Sequence, residues 1–232
     1  MRAGRKSLAF FAVALPLVGC GDKAAEQAKA FADLLQTRIL DRPGVHIPIL
    51  SDEERAKIGP YADDLAILKT FNDDLTATAL QFGKAMHPAP QNVQPLDLPK
   101  YKPDLVAARD FFTHAAAGID SALAKAETSR EKLHQPEAVK AKFDAAFDQL
   151  VTRPANALRE IVPLAVPTMD LEIQVADFID AHKGDFKASG GQVRTSKPAL
   201  RMQLDALLSA YAANFAKVQE SRRKLELAVE GH

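Results

Sequence analysis

Cys20 is the single cysteine of the chain, and it closes the run Leu17-Val18-Gly19-Cys20. A lone thiol behind small residues, at the end of an apolar stretch, is the acceptor pattern for lipid attachment. In that chemistry the sulfur becomes a thioether bearing palmitate-type chains, the Gly19–Cys20 bond is cut, and Cys20 becomes the mature N-terminus. Arg2, Arg5 and Lys6 supply the positive start of an export signal, and residues 8–18 supply its apolar core. That core is too short to span a bilayer and Pro16 interrupts it, so an uncleaved anchor is disfavoured. An ordinary signal peptide would leave an odd free thiol in an oxidising compartment, an anomaly that acylation removes. Arg5-Lys6 is a faint echo of a twin-arginine signal, so the general secretion route is expected.

Other residues able to do chemistry are scattered. Glu131 and His134 match one Glu-x-x-His step of a di-iron helix bundle, but such a centre takes two copies and two further inward glutamates. Asp110 and His114 stand one helical turn apart and can share a proton or a metal; a surface i,i+4 pair is the simpler account. His46, His87, His182 and His232 have no companion at ligand spacing. Asp63-Asp64 and Asp73-Asp74 fall about three turns apart on one flank, whereas calcium needs oxygens converging from several directions. No Gly-rich phosphate loop, nucleophile elbow or His-Glu zinc motif is present. No catalytic, cofactor or metal residue is therefore assigned, and a non-enzymatic role is expected.

The elements that would carry these residues are helical almost throughout. Phe31, Leu34, Leu35 and Ile39 mark one face of a helix over 22–40, which Arg42-Pro43-Gly44 stops. Ser51 and Glu54 form a capping box for a short helix that Gly59-Pro60 ends. Tyr61, Leu65, Leu68, Phe71, Leu75, Ala79, Phe82 and Met86 then repeat at steps of three and four. Five prolines between 88 and 103 predict an extended, polyproline-like strap, packed through Val93, Leu96, Leu98 and Tyr101. A helix through Leu105, Phe112, Ile119 and Ala126 follows, then others beginning at Pro136 and Pro154. Pro163 and Pro167 are expected to kink or split the latter and open a pocket there. Ser189-Gly190-Gly191 suggests a small β-hairpin within 186–195, and a last helix runs over 198–229.

The expected fold is all-α: one bundle of six to seven helices with a Pro-rich strap and a small hairpin. Residues 1–19 form the signal, 20–21 the acylated terminus with a very short tether, and 22–232 the exported domain. Apolar residues at 47% are ample for a core. Removing 1–19 takes away Arg2, Arg5 and Lys6 and no acid, leaving a mildly acidic domain without the electrostatic footprint of a nucleic-acid binder. Tryptophan is absent, which disfavours a carbohydrate-stacking site.

Several blocks resemble the YiaF-type lipoproteins of proteobacteria. They are Gly19-Cys20, Asp22-Lys23, Lys29-Ala30-Phe31, Leu35-Gln36, Gly59-Pro60 and Ala66-Ile67-Leu68, then Phe143-Asp144, Ala146-Phe147, Pro154-Ala155 and Ile161 with Pro163. The resemblance spans nearly the whole chain and implies an envelope location and a compact helical domain, with no active site attached. With Gly21 rather than aspartate after the cysteine, the enterobacterial sorting rule points to the outer membrane more than the inner. The expected partners are the bilayer, through acylated Cys20, and an envelope protein or the cell wall close to the membrane. The alternative is a small-molecule binder or sensor using the pocket at Pro163 and Pro167.

Overall fold

Residues 20–90, 93–189 and 192–231 are described by a computed structural model. Residues 1–19, which hold the expected signal and Gly19 of its cleavage site, and residues 91–92, 190–191 and 232 lie outside the described residues. Among the described residues the chain forms α1 (Cys20–Leu35), α2 (Asp52–Ile58), α3 (Tyr61–Ala85), α4 (Lys102–Glu131), α5 (Glu137–Phe147), α6 (Arg153–Ala181) and α7 (Pro198–Glu230). An antiparallel hairpin of β1 (Lys187–Ser189) and β2 (Gln192–Arg194) pairs Ala188 with Val193. None of these helices is long and apolar enough to cross a membrane.

Two helices end or join through a wide turn. α1 continues into a π turn over Gln36–Leu40, closed by the Asp41 N–H donating to the Gln36 carbonyl at 2.8 Å. α5 continues through a second π turn, Asp148–Thr152, straight into α6. Pro154 was expected to begin a separate helix. Instead Phe147, Thr152 and Arg153 all keep helical dihedrals, so α5 and α6 form one rod. Pro154 has no N–H and crowds the carbonyl four residues back. Widening the turn, with the Arg153 N–H donating to the Asp148 carbonyl, absorbs that conflict without breaking the helix.

Pro163 and Pro167 also leave α6 unbroken, correcting the expected split. Both rings are exposed, as are Arg159 and Pro163, whose carbonyls lose their helical donors. Placed on the solvent side, the prolines spare the inward stripe of Leu158, Ile161, Val162, Ala165 and Met169, all buried. The second half of the strap is corrected too: Pro95–Tyr101 is a 3₁₀ helix, while Gln94 before it keeps extended dihedrals. Proline's fixed φ suits a 3₁₀ turn, and a short run needs few N–H donors. Leu98 is buried as expected.

The α4 face Leu105, Ala108, Phe112, Ala115, Ile119, Leu123 and Ala126 is buried throughout. On α3 the stripe holds except at Ala79, which is exposed. The main core joins α1 and α3 to the rod through Phe31, stacked on Tyr61 at 5.1 Å and 6.3 Å from Phe143. Burying one such phenylalanine contributes about 1.5–3 kcal/mol. Gln149, in the second π turn, donates its amide to the carbonyls of Arg42 and Gly44, each at 2.8 Å, and so ties the loop after α1 to the rod. A separate apolar cluster of Leu98, Leu105, Val175, Ile179, Phe186 and Leu204 lies toward the other end of the rod, under the strap and hairpin.

Candidate functional site

A cleft of about 640 Å³ lies between α1 and α2 and begins one turn after Cys20. α2 runs back along α1. Arg38 Nη1 meets Glu54 Oε1 at 3.0 Å at one end, and Gln27 packs against Gly59 at the other. Within α2 the capping box forms as expected: Glu54 N–H donates to Ser51 Oγ at 3.2 Å, and Ser51 N–H to Glu54 Oε2 at 2.8 Å. Only Ile58 of this helix is buried. The helix is thus held by its caps and one ion pair more than by core contacts, and its outcome is a wall.

The cleft has an apolar floor of Ala30, Leu34, Ala56 and Ile58 under a rim of both signs. Lys29 Nζ is paired with Asp33 Oδ2 at 2.6 Å. That hydrogen bond holds the Asp33 carboxyl below the usual carboxylate range, with the charges of Lys142 and Lys57 adding to it. Glu54 is lowered chiefly by the Ser51 backbone N–H, and also by Arg38. Both carboxylates are therefore ionised at neutral pH and poorly placed for general acid work, which wants a pKa near the working pH. Lys23, Glu26 and Lys57 line the cleft with no ion-pair partner among the described residues. Such a surface can recognise a ligand by charge and shape.

Cys20 opens α1, while Gly19 lies outside the described residues. The other sequence candidates do not converge. His114 Nδ1 lies 2.7 Å from the Asp110 backbone carbonyl, while the Asp110 carboxylate is taken by Arg109 at 2.8 Å. Glu131 and His134 are both exposed, on the last residue of α4 and in the loop beyond it. Asp73 pairs with Lys69, and Asp64 accepts from Gln135 across the bundle. Burial pushes the Asp64 carboxyl up despite that hydrogen bond. His182 Nδ1 sits 2.9 Å from the Phe178 carbonyl. Among the described residues no three His, Cys, Asp or Glu side chains gather as a metal site.

Two further features carry chemistry that the sequence did not single out: the Glu172–Tyr211 pair and an apolar slot under the strap. Glu172 on α6 is half-buried, and its carboxyl is pushed up by that burial. Tyr211 on α7 is pushed up to about 12, first by burial and then by the charge of Glu172. The available signal was that Glu172 interrupts α6 between the inward Met169 and Ile173, and that Tyr211 sits on the inward face of α7. The second is a slot of about 190 Å³ under the strap, walled by Leu98, Val193 and Leu204 among others. Neither Pro163 nor Pro167 lines any of the clefts described here.

Comparison with known proteins gives a consistent answer. A family described as "Protein of unknown function (DUF3053)" matches residues 8–226. The "Uncharacterized protein YiaF" of Escherichia coli K12 is 31% identical over 199 residues, covering 83% of this chain and 82% of that protein. The proteins of the same name in Shigella flexneri and in Escherichia coli O157:H7 match to the same extent. No solved structure matches the chain.

Proposed function

The chain belongs to the DUF3053 family of proteins of unknown function, and we propose that it is a bacterial envelope lipoprotein. In this reading Cys20 carries the acyl chains, the protein faces the periplasm, more readily from the outer membrane than the inner, and its role is non-enzymatic. It binds another envelope protein or the cell wall close to the leaflet. The observation that carries the reading is the junction at Cys20: the lipid-acceptor pattern Leu17-Val18-Gly19-Cys20 runs directly into α1 with no polar leash. At 1.5 Å per helical residue, the whole α1 side of the cleft, from Lys23 to Arg38, lies within about 27 Å of the anchor. A partner held there would sit at the membrane surface, facing the unpaired charges of Lys23, Glu26 and Lys57.

Site-specific photo-crosslinking in cells tests the binding face. A photoreactive residue at Glu26 or Lys57 is expected to give reproducible adducts with one protein or with cell-wall material. The same residue at exposed Ala213 on α7 is the control. Adducts from Ala213 but none from the cleft would contradict the assignment.

A further inference from the structure

The slot under the strap has walls of one chemical kind. Val93 and Leu98 come from the strap, Ile179 from α6, Val193 from β2, and Leu204 and Leu208 from α7. No lining side chain carries a polar atom. Its volume of about 190 Å³ is of the order of the ~150 Å³ apolar cavity that takes a small hydrocarbon, with the difference that the slot is open on one side. A peptide segment entering it would leave its amides unpaired, at a free-energy cost that a hydrocarbon chain does not carry. Leu204 and Ile179 are almost wholly buried, whereas Leu208 is 43% exposed, so the slot opens beside Leu208. Strap and hairpin touch one another over it, and neither is part of the main core, so the roof can part without disturbing that core.

A charge stands one turn of α7 from the slot's buried wall at Leu204, just outside the lining itself. Arg201, Leu204 and Leu208 are spaced i, i+3 and i+7 and so share one ridge of α7. Arg201 engages Asp205 through Nε alone, at 3.1 Å, which leaves the other guanidinium donors free. We propose that this slot binds a fatty acid, with the aliphatic chain between strap, hairpin and α7 and the carboxylate at Arg201. The site lies at the far end of the α5–α6 rod from the α1 cleft, and the proposal does not depend on Cys20 being acylated.

A dodecanoic acid carrying a diazirine at its chain end tests it, photolysed with the full-length protein in its native membranes and mapped by mass spectrometry. Labelling is expected on the strap, β2 and the end of α6, with loss of the label when unlabelled decanoate is added in excess. Val193→Phe, which fills the slot, should abolish labelling, and Leu208→Asp at the partly exposed mouth should reduce it at least tenfold. Arg201→Gln should weaken competition by decanoate several-fold while competition by uncharged decanol is unchanged. Label scattered over the surface, label that decanoate does not displace, or label undiminished in both Val193→Phe and Leu208→Asp would overturn the site. Equal loss of decanoate and decanol competition in Arg201→Gln would overturn the assignment of the carboxylate.

Discussion

Glu172 holds its carboxyl between α6 and α7 with no cation against it among the described residues, and Tyr211 feels its charge. Burial raises the carboxyl above its ordinary value of 4.5. Below that value the group is protonated in both folded and unfolded chains and changes nothing. As pH rises past it, the unfolded chain releases the proton more readily than the folded one, so stability falls until the folded carboxyl has ionised as well. Glu172→Gln removes that penalty while keeping the shape. The variant should melt at a higher temperature than the parent at pH 7, and the gain should vanish as pH is lowered to about 4. A gain equal at both pH values would show that the carboxyl's ionisation is not its cause. The sequence marks Glu172 only by its place beside the inward Met169 and Ile173, which does not reveal how deeply it is buried. Its charge acts on Tyr211 of α7, an element distant in the chain, and periodicity within one helix cannot register that.

At the level of elements, α2 shows how local rules build a wall that the core does not demand. Its capping box was legible because Ser51 and Glu54 carry the whole signal within four residues. Its ending depends on Gly59, at φ +57° and ψ −128°, a conformation essentially confined to glycine. An added Cβ there would also come 2.3 Å from Gln27 Nε2, the movable end of a flexible side chain. Gly59→Ala is therefore expected to cost about 1–3 kcal/mol, mostly from the backbone, as read by urea denaturation. Hydrogen exchange should quicken first in α2, and an unchanged stability would mean that the turn does not hold the wall. The faces of α3 and α4 were legible almost residue by residue, since each helix buries one stripe. Pro154 misled because one residue signals both a helix start and a tolerated π turn. The choice depends on whether the preceding segment is anchored, as Gln149 anchors it to the loop at Arg42 and Gly44. α7 was legible only in part: of the face Leu200, Leu204, Leu207, Tyr211, Phe215, Val218 and Leu225 that its periodicity marks, Leu204 and Val218 are buried and the rest are half-covered.

Across the whole molecule the α5–α6 rod carries different chemistry at its two ends. Near Cys20 lies a cleft of mixed charge, and at the far end lies an aliphatic slot. The C-terminal end of α7 meets the loop that follows α1: Val45 N–H donates to the Val229 carbonyl at 2.8 Å, and Gly44 and Gly231 approach so closely that neither has room for a Cβ. The last turn of α7 is thereby fixed to the loop that follows α1, which braces α1 against the bundle. This geometry gives the proposed function its physical sense, because a braced helix without a leash fixes what the cleft faces. The central claim is that Cys20 is the acylated first residue of the mature protein. Mass spectrometry of the N-terminal peptide, taken from membranes of cells expressing the full chain, tests it most directly. The account predicts a peptide beginning at Cys20 and carrying two or three acyl chains, absent from a Cys20→Ser variant that remains unprocessed or soluble. A mature chain that begins elsewhere, or a free thiol at Cys20 in membrane-bound protein, would contradict it.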